Sequence, residues 1–211
     1  MPGGVHGGSG LAGPGAGSMV RRSDIPPEPV PLREPATTMS HLMSLVWEPT
    51  APPERREVAA VGLPSEAAAL LRHEDGMTAT LEQHWGEPMA LTVLRADRVG
   101  ATLRRAVMLS GRDSGRPTEL GLIEIMLANL PPTITDKVVE GLIPFGSLLA
   151  RAGISFRSRP HRFFSLTADG LLSRTLEVRP GTDLYGRETR LTDSTGRLLA
   201  EAVEIVSPLP R

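Results

Sequence analysis

The spacing of hydrophobic residues changes period along this chain, and the changes mark out its elements. Leu42, Leu45, Val46 and Trp47 recur at helical spacing and predict one short helix, broken by Pro49, Pro52 and Pro53. Ser65 is placed to cap a second helix through Ala68, Leu70 and Leu71, ending near Asp75-Gly76. After Gly76 the period falls to two, which predicts strands near 77–85, 89–97, 101–110 and 118–127, with 111–117 as a hairpin loop. Pro131-Pro132 opens a helical stretch holding Val138, Val139 and Leu142, and another helix follows Pro144 through Leu148 and Leu149 to Gly153. Four more strands are predicted near 154–167, 170–179, 184–192 and 197–207, the last hairpin turning on Asp193-Ser194-Thr195-Gly196. Successive strands joined by tight turns predict an antiparallel sheet with helices on one side, an α+β domain. No internal repeat is present.

The first 36 residues read differently. Eight of the first 17 are glycine, and Pro26, Pro27, Pro29, Pro31 and Pro35 follow. Such a stretch buries too little apolar surface to offset its ordering entropy, so residues 1–36 are expected to form a disordered tail. Residues 37–64 are then a connecting segment with a short helix, and 65–211 the folded domain. Within the tail, Gly8-Ser9-Gly10-Leu11-Ala12-Gly13 matches a dinucleotide-binding pattern, but no predicted strand precedes it and no helix follows. Arg21-Arg22 lacks the apolar stretch of an export signal behind it.

Composition narrows the chemistry. Of 211 residues 40% are hydrophobic and only 3% aromatic, and no apolar run approaches the roughly 18 residues of a membrane span. Acidic residues number 24 against 23 basic, a net charge of -1, so no global field favours nucleic acid. Cysteine is absent, which removes thiolate nucleophiles, disulfides and cysteine-ligated metals. A cytoplasmic protein is expected, with no membrane and no nucleic-acid partner.

Two charges interrupt apolar stripes. Leu103, Arg105, Val107 and Leu109 share one face of their predicted strand, and Leu199, Glu201, Val203 and Ile205 share one face of the last. A buried charge without a partner costs several kcal/mol, so each needs a counter-ion or a polar ligand. From alternation alone two readings stand open: a structural Arg–Glu pair, which is the commoner, or a pocket holding a cation and a carboxyl together.

The order of motifs resembles the chorismate pyruvate-lyase family over roughly residues 65–208. Leu70-Leu71-Arg72-His73-Glu74-Asp75-Gly76-Met77-Thr78 with Leu81-Glu82-Gln83 is similar to the family's first motif, and Leu103 to Leu109 to its Leu-Arg strand. Pro144-Phe145-Gly146-Ser147-Leu148-Leu149 looks like its Pro-Leu-Gly helix opening, and Tyr185-Gly186-Arg187 like its Trp-Gly-Arg strand. Leu198-Leu199-Ala200-Glu201 and the closing Ser207-Pro208 are similar to its Leu-Leu-Thr-Glu strand and Ser-Pro terminus. Phe145 departs by replacing a smaller leucine, and 111–117 and 150–184 are longer than in compact members.

The resemblance implies a single α+β domain with a six-stranded antiparallel sheet. It also implies an activity, elimination of pyruvate from chorismate to give 4-hydroxybenzoate, with no metal or organic cofactor. It makes Arg105 the clamp on the ring carboxylate and Glu201 the acid at the ring oxygen. Met77 contributes a backbone hydrogen bond from a flap, and Phe145 and Gly146 form a wall. Arg162 takes the second carboxylate, with Arg159 and Arg187 as alternatives. Chorismate is the expected partner, and a monomer the expected state.

Other signals are weaker. His73 and His84 lack metal-ligand spacing, Glu74-Asp75 points two ways, and neither GxSxG nor a P-loop is present. Arg157, Arg159, Arg162, Phe163 and Phe164 mix basic and aromatic residues but stand alone on a neutral chain. The rival function is a non-catalytic small-molecule-binding module, since a related fold serves as the sensor of bacterial transcription regulators. Against it, the Gly/Pro-rich first 60 residues hold no helix-turn-helix. A related natural-product enzyme on another substrate is the remaining alternative.

Overall fold

The period of two that begins at Met89 builds a sheet, in a computed structural model that describes residues 35–208. The expected tail, its glycine motif and Arg21-Arg22 lie outside the described residues. Six strands fall where alternation predicts them: β2 (Met89–Val99), β3 (Thr102–Gly111), β4 (Pro117–Met126), β5 (Phe156–Thr167), β6 (Asp183–Asp193) and β7 (Leu198–Val206). A seventh, β1 (Arg55–Val58), lies in the segment expected only to connect. Four residues hemmed by prolines are too short to show a period. All pairings are antiparallel, in the order β1-β5-β6-β7-β4-β3-β2. The antiparallel α+β class therefore holds, with seven strands in place of six.

Two predicted strands are helices. Residues 77–85 form α3 (Met77–Trp85), because Met77 and Leu81 bury one helical face and Gly86, at φ 70°, closes its C-terminus. Within 170–179, α6 (Gly170–Thr175) starts at Asp169, whose carboxylate accepts a 2.8 Å bond from Leu172 N–H. In both cases adjacent Thr and Leu residues satisfy period two and helical spacing alike. The predicted helices are α1 (Pro35–Trp47), α2 (Ser65–Leu71), α4 (Pro132–Glu140) and α5 (Phe145–Arg151). Pro64 occupies the cap of α2, and Ser65, expected there, is already helical.

Helices cover both faces of the sheet, not one. Leu42, Met43, Leu45 and Trp47 of α1, with Leu172 of α6, pack on Ala106, Leu120, Leu122, Val203 and Ile205. These strand residues are register partners and so share a face, the back face. The opposite, front face carries Leu103, Ile125 and Ala200 against α4 and α5, and Leu109 and Val206 against α2 and α3. Since α1 supplies core residues and β1 an edge strand, the folded core starts upstream of Ser65. No helix among the described residues is long and apolar enough to cross a membrane.

Candidate functional site

The front face is incompletely filled. Between the sheet and the N-terminal ends of α3 and α5 lies a cavity that is partly open to solvent. Its walls are chiefly apolar, from Leu91, Val107, Leu109, Ile123, Met77 and Phe145. Three charged side chains interrupt them: Arg105, Glu119 and Glu204.

Arg105 follows from the alternation of β3, which turns Leu103, Arg105, Val107 and Leu109 to the front. It is 2% exposed. Its Nη1 donates a 3.0 Å bond to the Val138 carbonyl in the last turn of α4, where the helix dipole favours a cation. Nε is buried with no partner among the described residues, and no carboxylate there pairs with the guanidinium. Burial lowers its pKa from the ordinary value. The close approach needs a residue without a side chain at Gly141, where a Cβ would stand 3.3 Å from Arg105 Nη1.

Glu119 and Glu204 come from the front stripes of β4 and β7. Glu204 accepts from Nε of Arg187, which is 0% exposed and also donates to the carbonyls of Leu71 (2.9 Å) and His73 (3.0 Å). Arg187 thereby ties the end of α2 to the sheet, with its charge neutralised. Glu119 is 3% exposed, and its Oε2 has no partner among the described residues. Burial, and then repulsion from Glu204, hold its pKa well above the carboxylate range against the pull of Arg187. Both causes favour the protonated carboxyl of Glu119. Burial, reinforced by Arg187, likewise lowers the pKa of His73 beside this group.

The expected site residues divide. Arg105, Met77, Phe145 and Gly146 all line the cavity. Glu201 does not. It stands opposite Glu124 on β4 and Arg190 on β6, whereas Arg105 reaches Ala202 through Ile123. Arg105 and Glu201 thus occupy opposite faces, and Glu201 accepts a 2.8 Å bond from Arg190 Nε on the back. Each stripe was apolar because helices cover both faces, so alternation showed burial without showing which stripes meet. Arg162 is also on the back face, paired with Glu188 at 3.3 Å and Glu57 at 3.8 Å. Arg159 is exposed. Of the alternatives only Arg187 lies inside the front layer, and Glu204 already holds it.

Sequence reading missed Glu119 and Glu204. Their signal was present in the alternation, since Glu119 shares a stripe with Gly121, Ile123 and Ile125, and Glu204 shares one with Ala200, Ala202 and Val206. Among the described residues no three His, Asp or Glu side chains gather as a metal cluster.

No family model matches the chain, and no curated protein matches it. Solved structures do. PhnF from Mycobacterium smegmatis aligns with a TM-score of 0.51 at 12% identity, over 64% of this chain and 64% of that one. The match thus spans less than two thirds of PhnF. The separate effector domain of PhnF gives 0.51 and 12%, over 63% of this chain and 88% of that domain. A GntR-family transcriptional regulator from Bacillus cereus gives 0.40 and 12%, over 57% and 92%. At these identities the likeness is one of fold, and the α+β fold is that of the effector domain.

The expected lyase is corrected on two grounds. The structures that align at a TM-score of 0.51 are PhnF and its effector domain, not lyases of aromatic biosynthesis. Independently, the acid assigned to the ring oxygen lies across the sheet from the cation assigned to the carboxylate. The family resemblance holds for the fold and not for the reaction.

Proposed function

We propose that this domain is a non-catalytic small-molecule-binding module whose ligand is a small organic anion with an apolar body. One observation carries the reading: Arg105 is a buried cation on a cavity wall, answered by a single backbone carbonyl. A charge in that position costs several kcal/mol if nothing compensates it. A carboxylate or phosphate entering the cavity supplies the missing partner through charge-assisted bonds. Arg187, buried nearby in the front layer, is neutralised by Glu204, so one ligand charge balances the site. Apolar walls fit the usual build of ligand pockets, in which a few polar groups orient a mostly hydrophobic body. The shared fold with the PhnF effector domain supports a sensing role.

Calorimetric titration of the purified chain with a panel of aryl and alicyclic carboxylates, beside matched phosphates, tests the reading. Wild type should bind members of the panel and Arg105→Gln should bind them about 10- to 100-fold more weakly, the scale of a charge-assisted bond of roughly 1.5–3 kcal/mol. The anion should return unchanged after prolonged incubation, as followed by NMR. Equal binding by wild type and variant, or conversion of the bound anion, defeats the proposal.

A further inference from the structure

The cavity has a second polar end. We propose that Glu119 is the ligand's other anchor, a buried carboxyl that donates a hydrogen bond to an oxygen about one ring length from the anion held by Arg105. This rests on the anion site at Arg105.

The placement follows from register. Arg105 pairs with Ile123 on β4, and Val107 pairs with Gly121, two residues along. At Gly121 a Cβ would stand 3.0 Å from Glu119 Oε1 and 3.2 Å from Val107 Cγ2. The Glu119 carboxyl therefore leans along β4 into the space that Gly121 leaves free. The row of Gly121 lies about 7 Å from the row of Arg105, two residues at roughly 3.4 Å each. Ile123 in the first row and Val107 in the second line the cavity beside the two polar groups, with Phe145 from α5 also on the lining. A polar group at each end and apolar wall beside them describe a monocyclic acid with a distal oxygen.

Charge selects the kind of oxygen. Arg187 already neutralises Glu204, and burial beside Glu204 favours the protonated form of Glu119. The pair of carboxyls thus offers one O–H and no free negative charge, favouring a hydroxyl or carbonyl over an ammonium. Oε2, buried without a partner, is the atom such a group would satisfy. A hydrogen-bonding site of this kind rejects ligands that lack the group, because its own polar atom is then left unpaired.

Three probes separate the possibilities: 4-hydroxyphenylacetate, phenylacetate and 4-(aminomethyl)phenylacetate. Calorimetry on wild type should show the hydroxy acid bound about 5- to 10-fold more tightly than phenylacetate, the scale of one neutral hydrogen bond. Glu119→Leu should abolish that preference while still binding phenylacetate, which also certifies its fold. Glu119→Gln, neutral and still a donor, should keep the preference. A preference that survives in Glu119→Leu, or its absence in wild type, overturns the role of Glu119 while the Arg105 site stands. Tightest binding of the aminomethyl probe overturns the neutral-donor assignment. Failure of wild type to bind any of the three acids overturns the Arg105 site itself, and this inference with it.

Discussion

Replacing Arg105 by methionine should make the empty domain more stable and unable to bind anions. The guanidinium is 2% exposed, and its recovered interactions are few: one 3.0 Å bond to the Val138 carbonyl and the C-terminal end of α4. Burying an ion costs several kcal/mol in practice. Against this stand about 1.5–3 kcal/mol for the charged hydrogen bond and roughly 0.3–1 kcal/mol from the helix end. Methionine keeps an unbranched stem against Leu103 and Val107 and fits irregular space, so the packing term changes little. The balance favours Arg105→Met by about 1–2 kcal/mol, within the range seen when buried ions are replaced by apolar residues of similar volume. For a domain of this size that raises Tm by roughly 2–8 °C. Urea unfolding followed by the fluorescence of Trp47 and Trp85 measures the difference, and titration with phenylacetate measures the lost binding. Destabilisation by 2 kcal/mol or more would show that Arg105 is a structural tie between β3 and α4, and the reasoning would fail.

Other outcomes follow from the same geometry. Glu204→Leu should cost about 3 kcal/mol in urea at pH 7, because Arg187 is left buried without its paired carboxylate. Gly186→Ala should destabilise by about 1–3 kcal/mol, since its Cβ would lie 2.5 Å from Phe164 Cζ and 2.7 Å from the Glu204 carbonyl. A soluble variant with unchanged Tm would contradict that register. Asp169→Ala removes both the cap of α6 and the acceptor of the 2.7 Å bond from Trp47 Nε1, a loss of about 1–3 kcal/mol. Glu119, with its folded pKa above the unfolded 4.5, stabilises most at low pH. Stability should fall as pH rises from there through the raised pKa, because the unfolded chain gives up the proton first. Urea midpoints from pH 4 upward should show this slope in wild type and a flatter one in Glu119→Gln.

What could be read from the sequence was the part governed by local periodicity. Six of the strands, the Asp193–Gly196 turn and the four helices beside prolines were legible because apolar spacing and turn residues decide them locally. The turn closes as expected, with Asp193 Oδ1 accepting from the N–H groups of Thr195 and Arg197 and Gly196 at φ 86°. Helices α3 and α6 were not legible, since Met77-Thr78-Ala79-Thr80-Leu81 and Leu171-Leu172 fit both periods and packing decides between them. For the site, alternation identified Arg105 as an inward cation, and the motif comparison placed Met77, Phe145 and Gly146 beside it. It could not pair Arg105 with the right carboxylates. That required knowing that β4 lies between β3 and β7 in a particular register, a long-range fact that turns Glu204 forward and Glu201 back. Arg162 failed for the same reason, its strand being irregular between Pro160 and Arg162.

The central claim is that Arg105 holds the ligand's negative charge. Nitrogen-15 NMR of the arginine side chains during a phenylacetate titration addresses it at the atom concerned, because Nε of Arg105 has no partner among the described residues. The account predicts a saturable shift of the Arg105 Nε–H signal, following the same binding curve as calorimetry, while Arg162 on the back face stays fixed. Saturation of binding with the Arg105 signal unmoved would contradict it.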